Sequence, residues 1–105
     1  MLTIAQIKKA VTPICERYGV KKMWLFGSYA RGEADEKSDV DLIHDGGNFR
    51  GWEYGGFYAD LHDALDIELD LVSKEVAGKR FLNAISKDEV LLYERNRYFR
   101  RGATE

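Results

Sequence analysis

The sequence has little cysteine and little excess charge, and each scarcity excludes a class of protein. Its single cysteine, Cys15, cannot form an intramolecular disulfide, which is untypical of a small secreted domain. The 16 basic and 18 acidic residues leave a net charge of −2. The chain therefore lacks the basic excess of a protein that coats a nucleic acid, and a nucleic-acid substrate is not expected.

Long apolar runs are also missing. Residues 1–9 lack the apolar block of a signal peptide, and the longest apolar run in the middle of the chain is Met23–Phe26. We therefore expect no membrane association and a cytoplasmic location. Because 45% of the 105 residues are hydrophobic, we expect a single domain with its own core over residues 1–105.

The hydrophobic pattern alternates between helical and extended segments. Apolar residues at helical spacing predict an amphipathic helix from Ile4 to Tyr18, with Cys15 packed on its apolar side. Further helices are predicted over 57–65 and 81–85, strands over 20–26, 39–44 and 67–73, and a closing strand or helix end over 90–93. This alternation predicts an α/β (α+β) fold, a small mixed sheet with helices packed on it.

Two regions lack these periodicities. Five glycines lie in Gly46–Gly56, a density that predicts a loop. Its aromatic residues Trp52 and Tyr54 either cap the core or form a lid over a ligand or a partner. Residues 94–105 are basic and weakly patterned, which predicts a solvated, flexible tail, with a partner- or RNA-contacting arm as the alternative.

The residues that could carry chemistry begin where the first predicted strand ends. Gly27 and Ser28 follow that strand directly, and a glycine followed by the N–H groups of a turn is suited to bind phosphate. Asp39 and Asp41 are two residues apart on the next strand, so their carboxylates point to one face. Close carboxylates repel each other, and a divalent cation such as Mg²⁺ relieves the repulsion.

The third predicted strand adds another acidic position. Glu68 and Asp70 share one face of it, and the sequence leaves open which of them joins the aspartate pair. Three carboxylates on neighbouring strands can hold two cations and stabilise the attacking and leaving oxygens of a phosphoryl transfer. His44, at the end of the second strand, is expected to be structural rather than a metal ligand.

Gly27-Ser28, ten intervening residues and then Asp39-Val40-Asp41 resemble the GS-x10-DxD signature of the DNA polymerase β-like nucleotidyltransferases. The stretch GSYARGEADEKSDVDL, followed downstream by LDLVS, is similar to the minimal nucleotidyltransferases, which are the antitoxins of HEPN–nucleotidyltransferase toxin–antitoxin modules. The resemblance covers the chain from the first helix to Tyr93. The stretch Gly46–Gly56 departs from the family pattern, which has a strand extension and a helix there.

This resemblance implies a nucleotidyltransferase fold and an assignment of the site. The residues implied to bind the triphosphate of ATP are Gly27, Ser28 and Arg31. The residues implied to ligate two Mg²⁺ ions and to catalyse the transfer are Asp39, Asp41 and Asp70. In the family the acceptor is a tyrosine of a partner HEPN ribonuclease, which AMP attachment silences. The resemblance therefore implies a protein adenylyltransferase that is an antitoxin and assembles with its toxin.

Two other interpretations share the same signature. One is a non-catalytic antitoxin that acts by binding its toxin, and the other is a small-molecule nucleotidyltransferase of the antibiotic-inactivating kind. Larger nucleotidyltransferases carry an additional domain for their acceptor, and 105 residues leave little room for one. We therefore expect the acceptor on a partner protein.

Overall fold

Helix α1 extends from Ile4 to Arg17 and begins at a well-formed cap. The Thr3 hydroxyl accepts a hydrogen bond from the Gln6 N–H at 3.1 Å, and the Gln6 side chain accepts one from the Thr3 N–H at 2.8 Å. This reciprocal pair satisfies N–H groups that the start of a helix otherwise leaves without partners. The computed structural model describes residues 1–95, and α1 confirms the helix predicted at the start of that range.

The elements after α1 alternate between strands and helices. They are β1 (Lys22–Phe26), α2 (Gly27–Arg31), β2 (Val40–Asp45), α3 (Glu53–Leu65), β3 (Leu69–Ser73), α4 (Lys79–Ile85) and β4 (Val90–Glu94). The strands form a sheet in the order β3-β2-β1-β4, in which β1 is antiparallel to β2 and β4, while β2 and β3 are parallel. The predicted mixed sheet with helices is confirmed. None of the helices in residues 1–95 is long and apolar enough to cross a membrane.

One face of the sheet forms the core with helices α1 and α3. Val40 and Leu42 of β2 are buried there, together with Phe57 and Leu61 of α3. Because the side chains of a strand alternate between its two faces, Asp41 points to the opposite face. The alternation therefore places carboxylates of the sheet on the face that these helices leave open.

The glycine-rich stretch Gly46–Gly56 ends in a helix, so the prediction of a loop throughout is wrong. Helix α3 begins at Glu53, whose carboxylate accepts a backbone hydrogen bond of 2.6 Å from the preceding turn. Burial of Phe57 offsets the cost of glycine in a helix, about 1 kcal/mol each. A Cβ on Gly56 would lie 3.2 Å from the Tyr18 hydroxyl, so this glycine lets α3 approach α1 closely.

The last described residues also differ from the predicted tail. Glu94, expected in the tail, is the last residue of β4. The Arg95 N–H donates to the Lys21 carbonyl at 2.8 Å, which extends the contact with the rest of the sheet by one residue. The rest of the predicted tail, residues 96–105, lies outside the described residues.

Cys15 is fully buried on the core side of α1, as predicted. Burial, with a smaller contribution from the charge of Glu16, raises the pKa of its thiol to about 12. Because the thiolate is the reactive form, we expect the folded chain to resist N-ethylmaleimide at about pH 8 and the chain in guanidinium chloride to react completely. Intact-mass spectrometry reads both states, and rapid labelling of the folded chain would contradict this burial.

Candidate active site

The turn after β1 brings the backbone against a carboxylate. Gly27 has φ 73, in the left-handed region that favours glycine. A Cβ at this position would overlap the Asp41 carboxylate. The absence of a side chain at Gly27 therefore allows the backbone conformation and also makes room for Asp41. Ser28 follows directly in α2, so the predicted Gly-Ser turn lies beside this carboxylate.

Asp41 and Asp70 are brought together by the parallel pairing of β2 with β3. They are partners in the strand register, and their carboxyl groups lie within hydrogen-bonding reach. The pKa of Asp41 is raised to about 6, first by burial and then by the facing Asp70 carboxyl and the charge of Asp39. Such a pair of like charges is stabilised by a shared proton or by a cation.

Asp39 lies at the margin of this pair. It is exposed and immediately precedes β2. No three acidic, histidine or cysteine side chains within residues 1–95 are gathered closely enough to hold a metal ion. The structure thus pairs two of the predicted ligands, Asp41 and Asp70, and leaves Asp39 beside them. Their hard oxygen atoms and unbalanced negative charge fit Mg²⁺, which takes one or two protein carboxylates and completes its shell with water and phosphate.

Glu68, the alternative to Asp70 as the third acidic residue of the site, lies near a different side chain. Its side chain is 75% exposed, and its Oε1 atom lies 3.5 Å from the His62 Nε2 atom. Asp70, by contrast, faces Asp41 across the strand pair. The geometry therefore favours Asp70 as the third acidic member of the site.

Arg31 lies near the carboxylates but is paired elsewhere. Its Nε atom is 2.8 Å from the Glu33 carboxylate, and its guanidinium is 3.7 Å from the Asp88 carboxylate. The positive charge of Arg31 lowers the pKa of Asp41, but burial and the carboxylates of Asp70 and Asp39 raise that pKa by more. Neither Glu33 nor Asp88 is among the residues predicted for the site. Glu33 could have been found from its spacing of two residues from Arg31, whereas Asp88 reaches the site only through the fold.

The aromatic residues of the glycine-rich stretch lie away from the carboxylates. The Tyr54 hydroxyl is 2.8 Å from His44 Nε2, and the other ring nitrogen of His44 is 3.0 Å from the Gly46 carbonyl. His44 is buried, and both of its nitrogens are engaged, so its role is structural as predicted. Tyr54 therefore caps one end of the core, and Trp52 beside it is 91% exposed.

A known family matches most of the chain. The family described as Polymerase beta, Nucleotidyltransferase matches residues 9–98, a range that includes the Gly27-Ser28 turn and the aspartates of the site. The chain belongs to the polymerase β nucleotidyltransferase family. The resemblance found in the sequence is thereby confirmed. A Methanocaldococcus jannaschii relative, named as a protein adenylyltransferase, is 44% identical to this nucleotidyltransferase over 97 residues, which cover 86% of this chain and 92% of the relative.

Solved structures of other proteins share the fold. A structure described as a minimal nucleotidyltransferase has a TM-score of 0.72 at 26% identity, over 86% of this chain and 96% of that one. A toxin–antitoxin structure with AMP-PNP has a TM-score of 0.71 at 20% identity, over 85% and 74% of the two chains. A tri-AMPylated Shewanella oneidensis HEPN toxin in complex with an MNT antitoxin has a TM-score of 0.64 at 17% identity, over 85% and 71%. The last two likenesses establish the shared nucleotidyltransferase fold.

Proposed function

We propose that this nucleotidyltransferase transfers AMP from ATP to a tyrosine hydroxyl of a partner HEPN-type toxin and so acts as its antitoxin. The observation that carries the proposal is the Asp41–Asp70 carboxyl pair beside the Gly27-Ser28 turn. Two comparisons support a protein acceptor. The Methanocaldococcus jannaschii relative is named as a protein adenylyltransferase, and the Shewanella oneidensis complex contains an AMPylated toxin.

The Gly27-Ser28 turn is the proposed binding site for the triphosphate. The turn that begins at Gly27 presents backbone N–H groups, which are suited to bind phosphate. Ser28 offers a hydroxyl and a backbone N–H as hydrogen-bond donors. Arg31 adds positive charge at the same edge of the sheet, where its guanidinium already acts on Asp41. Binding of AMP-PNP in the related toxin–antitoxin structure supports ATP as the donor.

Asp41 and Asp70 are the proposed residues that would hold Mg²⁺, and Asp39, which lies beside this pair, is the proposed third ligand for two ions. When bound, the ions neutralise the carboxylates and the phosphate oxygens and stabilise the charge that develops during transfer. Asp70 accepts the proton of the acceptor hydroxyl as its oxygen bonds to the α-phosphorus of ATP. The bond from that phosphorus to the bridging oxygen breaks, and pyrophosphate leaves with the electron pair.

The experiment that tests this function is intact-mass spectrometry of a HEPN-type partner after incubation with the chain, ATP and Mg²⁺. We expect a mass gain of one or more AMP groups, which is absent when Asp41→Asn replaces the wild-type chain. No mass gain together with a stable complex would instead support an antitoxin that acts by binding alone. No mass gain and no complex would favour a small-molecule acceptor.

Glu68, which immediately precedes β3, and Asp70, which lies within β3, provide a matched comparison. Asp70→Asn removes one charge from the carboxyl pair without changing the shape of the side chain, and we expect it to slow AMP transfer about 1,000-fold. Glu68→Gln makes the same chemical change at an exposed position and should alter the rate less than about threefold. Single-turnover rates at saturating ATP measure both variants. A larger loss in Glu68→Gln than in Asp70→Asn would assign the third acidic role to Glu68.

A further inference from the structure

The turn between α4 and β4 lies beside the proposed triphosphate site. β4 is antiparallel to β1, and its first residue, Val90, is paired with Leu25. β1 ends at Phe26, directly before the Gly27-Ser28 turn. The start of β4 therefore lies at the edge of the sheet where the triphosphate is proposed to bind, although the two segments are distant in the chain.

The α4–β4 segment contacts both ends of α2. Phe81 of α4 packs edge-on against Phe26, which immediately precedes α2, with the ring centroids 5.7 Å apart. At the other end of α2, the Asp88 carboxylate lies 3.7 Å from the guanidinium of Arg31. The Asp88 N–H donates to the Ile85 carbonyl at 3.0 Å, so Asp88 is presented to Arg31 from a hydrogen-bonded turn.

Arg31 contacts its two carboxylate partners in different ways. Its Nε atom donates to Glu33 Oε1 at 2.8 Å. Its Nη1 atom is 3.7 Å from Asp88 Oδ2, which is beyond hydrogen-bonding distance. The contact with Asp88 is therefore an ion pair that attracts the guanidinium without engaging the Nη1 hydrogens. A guanidinium has several N–H donors in fixed directions, so these hydrogens can still bind a phosphate.

Of the two partners, Asp88 is the one that ties Arg31 to the rest of the fold. Glu33 is two residues from Arg31 and its side chain is 65% exposed, so its contact is local. The Asp88 and Arg31 side chains are 38% and 41% exposed, and Asp88 comes from a separate part of the chain. The pKa of Arg31 is raised, chiefly by the hydrogen bond to Glu33, and the charges of Asp88 and Asp41 also raise it. Arg31 is thus close to the carboxyl pair as well as to Asp88.

We infer that Asp88 is a positioning residue, which holds the Arg31 guanidinium beside the Gly27-Ser28 turn so that its N–H groups meet the triphosphate of the nucleotide. The inference rests on the proposed function, because Asp88 acts on ATP through Arg31. An arginine that is already held in place loses less side-chain entropy when it binds a phosphate. A carboxylate that faced the phosphates directly would repel them, so a direct role of Asp88 predicts the opposite effect on binding.

Isothermal titration calorimetry of the full-length chain with AMP-PNP and Mg²⁺ tests this role without an acceptor. We expect Asp88→Asn to weaken binding about fivefold, because asparagine keeps the shape of the side chain but not its charge. Asp88→Glu keeps the charge and should bind within about twofold of the wild type. Tighter binding in Asp88→Asn would overturn the inference.

Glu89→Gln is the matched control for this neutralisation. Glu89 is the next residue in the chain and is exposed. Its replacement should change AMP-PNP binding less than about 1.5-fold, since an exposed charge is screened by water. Equal losses in Asp88→Asn and Glu89→Gln would show a general effect of charge and would overturn the inference.

A double-mutant cycle tests whether Asp88 acts through Arg31. In the Arg31→Ala chain, Asp88→Asn should have no further effect on AMP-PNP binding, because the group that it positions is gone. A further loss of about fivefold in that chain would mean that Asp88 acts by another route, and it would overturn the inference.

Transfer kinetics separate this inference from the proposed function. With a HEPN-type acceptor, Asp88→Asn should raise the KM for ATP about fivefold and leave kcat within about twofold, because Arg31 binds the triphosphate before and during transfer. AMP transfer with an unchanged KM in Asp88→Asn would overturn the role of Asp88 alone. AMP-PNP binding that depends on Asp88, in a chain that transfers no AMP, would overturn the proposed function alone.

Discussion

Replacement of Gly27 by alanine is expected to abolish AMP transfer, with a loss of about 1,000-fold or more, although the change adds a single methyl group. The new Cβ would overlap the Asp41 carboxylate. Either the turn or the carboxylate must therefore move, and both belong to the proposed site. A displacement of about 1 Å can by itself cost about 100-fold, and movement of a proposed metal ligand adds to that loss.

Gly32→Ala is the matched control for this variant. Gly32 has the same φ of 73, but nothing lies within 4 Å of the position that its Cβ would occupy. Both variants should lose about 1 kcal/mol of stability from the left-handed backbone, and Gly27→Ala should lose about 1–3 kcal/mol more from the overlap. Chemical denaturation measures stability, and initial rates measure transfer. Equal rates in the two variants would show that the contact between Gly27 and Asp41 is not needed for the reaction.

Asp41→Asn is expected to reduce AMP transfer by about 1,000-fold or more without unfolding the chain. Asparagine preserves the shape of the side chain but removes a charge that faces Asp70 across the strand pair. Because this charge is half-buried and repelled by Asp39 and Asp70, the variant should be as stable as the wild type or slightly more stable when divalent ions are absent.

Thermal unfolding with and without Mg²⁺ should distinguish the wild-type chain from the Asp41→Asn variant. Wild-type stability is expected to rise with Mg²⁺ concentration, since an ion that binds the folded carboxyl pair favours the folded state. Asp41→Asn should respond much less. An equal increase in melting temperature would place the ion elsewhere, and this readout does not depend on activity. If Asp41→Asn still neutralises a toxin at equal expression, protection comes from binding rather than from AMP transfer.

Much of the fold follows from local sequence pattern. The spacing of Ile7, Val11 and Ile14 predicts α1 because these side chains recur on one side of a helix, and all three are buried. Alternation along 39–44 predicts β2 and a shared face for Asp39 and Asp41, because a strand has a period of two residues. In the structure Asp41 lies in β2 and Asp39 immediately precedes it. The GS-x10-DxD spacing then identifies the family, since the reaction needs a phosphate-binding turn and carboxylates at neighbouring strand ends.

Other features depend on residues that are distant in the chain. Helix α3 begins four residues before Phe57, within a run of glycines, because burial of that ring offsets the local preference. Arg31 approaches Asp88 through the packing of the turn before β4. Local propensity predicts neither the start of α3 nor the approach of Arg31 to Asp88.

The sequence by itself therefore determined the order of the elements apart from α2 and the type of the last one, the Gly-Ser turn, and the strand face that carries Asp41 and Asp70. Tertiary structure decided that Asp70, and not Glu68, lies against Asp41. Glu68 and Asp70 are two residues apart, so the period of a predicted strand over 67–73 cannot separate them. In the structure Asp70 lies within β3, whereas Glu68 immediately precedes it. The parallel register of β2 and β3 pairs Asp41 with Asp70, and His62 of α3 provides a separate partner for Glu68. Register is set by the packing of both strands in the core, which is a property of the whole fold.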